Sequence, residues 1–121
     1  MAFVLKRSDS YSWPVTFSQP SDGGKRVKSQ FVAKFARLAQ SRIVQIQEQV
    51  QKRIDGDESQ TISDISMAEE VLVGWEGIQD ENGEELLFSE QVKSELLEVP
   101  MLSATIVEAY FSSLVEEKRK N

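Results

Sequence analysis

The side chains able to do chemistry in this 121-residue chain are almost all carboxylates: twenty Asp and Glu stand against fourteen Lys and Arg, with neither histidine nor cysteine. Lack of cysteine excludes disulfides, thiolate zinc sites and a cysteine nucleophile. Lack of histidine removes the commonest metal ligand and general base. Two carboxylate pairs remain for acid–base work, Asp80 with Glu84 and Glu69 with Glu70, and both sit in a crowded acidic stretch where solvated charge is the default. Asp55, Asp57 and Glu58 lack the ligand spacing of a calcium-binding loop. The chain is therefore expected not to be an enzyme, with no catalytic residue, cofactor or metal assigned.

Charge is unevenly placed. Residues 1–54 carry ten Lys and Arg against three acids, whereas residues 55–117 carry seventeen acids against Lys93 alone. A basic first part is one mark of nucleic-acid binding. Two oppositely charged ends also let copies of one protein attract each other head to tail. The plainest reading is two solvated faces. The length fits one domain with one core. No apolar run approaches a membrane span, and Met1–Leu5 is too short for a signal peptide, so the chain is expected to stay in the cytoplasm.

The elements that must position these groups follow from periodicity. Trp13, Val15 and Phe17 alternate on one face of a strand that Pro14 marks as an edge. Gln19–Gly24 is dense in turn formers, and Lys25–Leu38 returns with Phe31, Ala33 and Phe35 on one face and Lys28, Val32 and Lys34 on the other. Ile43, Ile46, Val50 and Ile54 then fall at helical spacing. Gly56 is placed to end that helix, and Thr61 or Ser63 to cap the next. In that next helix Ile65, Ala68, Leu72 and Trp75 form a stripe.

The chain is organised around residues 71–89. Here Trp75 sits between Gly74 and Gly77, Gly74 is expected to let another backbone pack on the indole, and Asn82-Gly83 turns the chain. Ser89 caps a helix with Val92, Leu96 and Leu97 inward. Pro100 is expected to open the last helix. Its stripe of Leu102, Ile106, Ala109, Tyr110 and Leu114, widened by Val107, Phe111 and Val115, exceeds what one neighbour needs. The fold class is α+β, an N-terminal β-hairpin followed by a mostly helical domain of about four helices. The single domain 1–121 divides into an arm (1–12), a hairpin (13–38), a helical part (41–117) and a charged tail (118–121).

The order of Gly23-Gly24-Lys25-Arg26-Val27, Phe31–Leu38, Val73-Gly74-Trp75-Glu76-Gly77-Ile78, Asp80-Glu81-Asn82-Gly83, Leu87-Phe88-Ser89 and Leu96–Pro100 resembles the tail assembly chaperones of long-tailed bacteriophages and prophages. The resemblance covers most of residues 23–115 and leaves the arm outside. It implies a homo-oligomeric protein of the host cytoplasm that coats the tape measure protein, helps recruit the tail tube protein and is absent from the mature virion. Members are commonly extended by programmed ribosomal frameshifting. Trp75, Ile78, Phe88, Tyr110 and Phe111 are the residues expected at structural or interface positions, with no nucleic acid or membrane as partner. The alternative is a small nucleic-acid-binding regulator that uses the basic hairpin.

Overall fold

A computed structural model of the chain describes residues 3, 9–54 and 64–115. Outside them lie the segment Met1–Leu5 apart from Phe3, the loop with Asp55, Gly56, Asp57 and Glu58, the caps expected at Thr61 or Ser63, and the tail from Glu116. The side chains of Val50 and Ile54 are likewise not described. Strands β1 (Ser10–Pro20) and β2 (Arg26–Ala36) form the hairpin, joined by a 3-10 turn at Asp22–Gly24. Helices α1 (Gln40–Ile54) and α2 (Asp64–Val71) follow, then β3 (Leu72–Glu76), α3 (Glu90–Leu96) and α4 (Leu102–Leu114). The strands make one antiparallel sheet in the order β1-β2-β3. The architecture is α+β, with four helices among the described residues.

Strand alternation builds the core. Val15, Phe17, Phe31, Ala33 and Phe35 are buried, while Thr16, Lys28, Gln30, Val32 and Lys34 on the other face are exposed. Helix α2 contributes Met67, Ala68 and Val71, spaced to share one helical face, and α4 contributes Leu102, Ile106, Val107 and Tyr110. These two helices pack on each other and on the sheet. Pro14 lies on an edge strand, where its missing N–H costs no ladder bond. Strand β1 starts three residues before the Trp13 start set by sequence alternation, because Tyr11 pairs with Phe35 and Ser10 with Ala36.

Residues 72–76 depart from the expected helix. Trp75 lies on a third strand, paired with Ala33, and Leu72 pairs with Phe35. Three residues on β3 thus span two on β2. The extra one sits at Val73-Gly74 opposite Lys34, a β-bulge. In an unbroken strand residues three apart point to opposite faces; the bulge resets the count, so Leu72 and Trp75 are both buried. A three-residue spacing produced this way mimics a helical stripe. The stripe's expected first member, Ile65, is exposed.

Gly74 meets a side chain where a backbone was expected. A Cβ there would stand 3.2 Å from Lys34 Cβ and 3.3 Å from Lys34 Cδ, so the glycine makes room for the lysine stem on the outer sheet face. Gly77 ends the strand rather than a helix, with φ of 88°. Pro100 does not open the last helix: it lies in the turn before it, and Met101 takes the cap position with φ of 70°. That left-handed backbone is unfavourable for a residue with a Cβ.

Candidate protein-contact sites

The expected contact residues separate into two groups. At one end of the sheet the Trp75 indole Nε1 donates to the Leu86 carbonyl oxygen at 2.8 Å. Its ring meets Phe88 edge to face, with centroids 4.9 Å apart. The bond ties β3 to the excursion that follows, which closes on itself through a Gln79–Glu85 bridge. Asp80 Oδ1 accepts from the Asn82 and Glu84 amides, and Gly83 supplies the positive φ the reversal needs. One of the two carboxylate pairs considered for catalysis is thus partly occupied in shaping a turn. Ser89 caps α3 as its type suggests, its Oγ accepting from the Val92 amide.

At the other end Tyr110 is buried, and its hydroxyl donates to the Ala36 carbonyl oxygen at 3.3 Å. Burial raises its pKa above the ordinary phenol value. Tyr11, Phe35, Tyr110 and Phe111 stand in edge-to-face sequence, linking β1 to α4. Ser113 Oγ gives its one proton to the Tyr110 carbonyl oxygen, so in the 2.6 Å contact with Tyr11 the phenol is the donor. Trp75 and Tyr110 are packing residues here. Ile78, Phe88 and Phe111 are half-buried and reach the surface.

Two grooves open beside these groups. The first, about 230 Å³, is floored by Phe17, Ser29 and Phe31 and walled by Ile78, Leu96 and Val99. The second, about 260 Å³, lies between Gln47 and Gln51 of α1 and Phe111, Leu114 and Val115. It is the uncovered end of the wide α4 stripe, with Val115 64% exposed.

Sequence reasoning missed Lys93, the sole cation of residues 55–117. It is buried, and its Nζ donates to the carbonyl oxygens of Glu69 at 2.9 Å and Leu72 at 3.0 Å. Those carbonyls are left open where α2 stops, so an amine from α3 caps α2. Isolation among acids was the available signal. The other carboxylate pair is also divided: Glu69 is exposed, and Glu70 receives a two-point contact from Arg42, at 2.7 Å from Nε and 2.6 Å from Nη2. That contact holds the Glu70 carboxyl below the ordinary carboxylate range. Among the described residues no three Asp or Glu side chains converge as metal ligands, and no helix is long and apolar enough to cross a membrane.

No curated protein and no solved structure gave a significant match. A family profile did, that of the YdaY prophage protein, over residues 27–119, which takes in the chain from β2 through α4. With β3, the groove between α1 and the end of α4, and the Lys93 cap inside that span, this chain belongs to the YdaY prophage protein family.

Proposed function

We propose that this prophage protein is a tail assembly chaperone, a non-enzymatic protein that coats the tape measure protein in the bacterial cytoplasm, helps bring in tail tube subunits and leaves before the virion is complete. The observation that carries the reading is hydrophobic surface left open in two separate grooves on a small acidic domain. Coating a long rod calls for weak, repeated apolar contacts, and copies that associate reversibly gain strength from their number. Membership of a prophage family and the ordered resemblance across residues 23–115 support the same role. The outer face of the hairpin carries Lys28 and Lys34 but no aromatic ring, so it offers bases no stacking platform.

Co-expression with the tape measure gene of the same prophage tests the proposal. The tape measure protein should be soluble and co-purify with this chain, and should aggregate without it. A tape measure protein equally soluble with and without the chain, and not retained by it, would overturn the reading.

A further inference from the structure

Beside β2, where the chain leaves β3, there is room for one more strand. Pairing of β2 with β3 ends at Val32–Glu76, so among the described residues β2 has no strand neighbour on that side from Arg26 to Phe31. Gly77 still runs beside β2, since a Cβ there would stand 3.7 Å from Phe31 Cα, and it then turns away at φ of 88°. Ile78 and Gln79 pair with the returning chain instead. The Leu86 N–H donates to the Ile78 carbonyl oxygen at 2.8 Å, and Gln79 bridges to Glu85. The first groove is the gap this divergence leaves, with Ser29 and Phe31 on one wall, Ile78 and Gln79 on the other, and Leu96 and Val99 behind them. Among the described residues no charged side chain lines it.

The geometry points to the arm of a second copy of this chain as the occupant, added to the open edge of β2 as an extended segment with Phe3 and Leu5 in the groove. This rests on, and specifies, the self-association included in the proposed function. Three features select the occupant. A groove walled by an unpaired strand edge takes an extended segment, whose backbone completes the ladder while alternate side chains fill the space. An uncharged lining calls for uncharged side chains, and Met1–Leu5 is an apolar run in which Phe3 and Leu5 share one side when extended. The other stretches outside the described residues do not qualify: 55–63 holds Asp55, Asp57 and Glu58, and Glu116 to Lys120 is charged throughout. Phe3 is 89% exposed in its own copy. The third feature is reach. Leu5 lies five residues before Ser10, at most about 18 Å from the start of β1. The groove residue Ser29 stands opposite Phe17, seven residues along β1 or about 23 Å, and the gap lies a further strand spacing out. An arm therefore falls short of its own groove. Arm and groove belong to opposite ends of the sheet, so each copy enters one neighbour and receives another, a head-to-tail contact that leaves both ends of a series open.

Light scattering of the purified full chain, without any tape measure protein, reads the assembly. The expected mass rises with concentration past twice 13.7 kDa. Phe3→Asp combined with Leu5→Asp should hold the monomer mass with an unchanged far-ultraviolet circular dichroism spectrum. The chain has no cysteine, so a chain carrying both Phe3→Cys and Ser29→Cys reports which groove the arm enters. Oxidation should give a ladder of covalent multimers on denaturing electrophoresis, with neither single variant passing the dimer. A crosslinked monomer would place the arm in its own groove, and a ladder that stops at the dimer would make the exchange reciprocal; either overturns the inference. A wild-type chain that stays monomeric at every concentration, or an assembly that persists with both Asp substitutions, would do the same. Tape measure solubility is read in a separate experiment, so either proposal can fail without the other.

Discussion

The two ends of the hairpin's inner face share one alternation and meet different fates. At the end near the chain's own helices, Phe35 is 0% exposed and touches Tyr11 and Tyr110 ring to edge. At the other end Val27 occupies an equivalent strand position and lies open. The pattern of residues decides which side of a strand faces inward, and the reach of α2 and α4 decides how far along the strand there is anything inside to face. A β-branched residue that continues a buried stripe beyond its cover is therefore left at the surface by the length of the helices and not by its own type.

Truncation should separate the two ends most clearly. Phe35→Ala is expected to cost about 3–5 kcal/mol in denaturant unfolding, the range for an aromatic core side chain, whereas Val27→Ala in the monomer should stay within about 0.5 kcal/mol. Similar losses at both would mean the uncovered end is packed after all. Lys93→Met tests the cap that fixes where the covering helix stops. Two carbonyls lose a charged donor, and a loss of about 1.5–3 kcal/mol is expected, with faster hydrogen exchange across Leu72–Glu76. A variant as stable as the wild type would remove Lys93 from the account.

Smaller effects sharpen the same picture. Met101→Gly relieves a left-handed backbone just before α4 and should stabilise by roughly 1 kcal/mol. The least effect belongs to the Arg42–Glu70 contact that fastens α1 to α2. Because Glu70 titrates below its ordinary 4.5 in the folded chain, its contribution is complete above the unfolded value and drains away as pH falls through the folded one. Wild type should therefore lose more stability than Glu70→Gln on acidification below pH 4.5. Parallel curves would show that the contact adds nothing.

Much of the fold was legible where local rules decide it. The faces of Phe31, Ala33 and Phe35, the Ser89 cap and the Asn82-Gly83 turn depend on neighbours in sequence. What escaped depends on neighbours in space. Helix α2 carries no glycine stop at Val71; its terminus is capped by Lys93, twenty-two residues later, and the strand beyond it hides its period behind the Val73-Gly74 bulge. Trp75 was recognised as a packing residue from its type, yet it was placed on the wrong element. The first groove escaped because it arises where separate elements end at different distances along the sheet, whereas the second is the surplus of the α4 stripe that periodicity already shows.

The cap also orders events in time. On the ribosome, residues 64–76 emerge before the amine that caps their helix, and until α3 arrives only the weak local signals of Val71, Val73 and Gly74 oppose further turning. The third strand is thus a decision deferred until the chain has delivered its own punctuation from downstream.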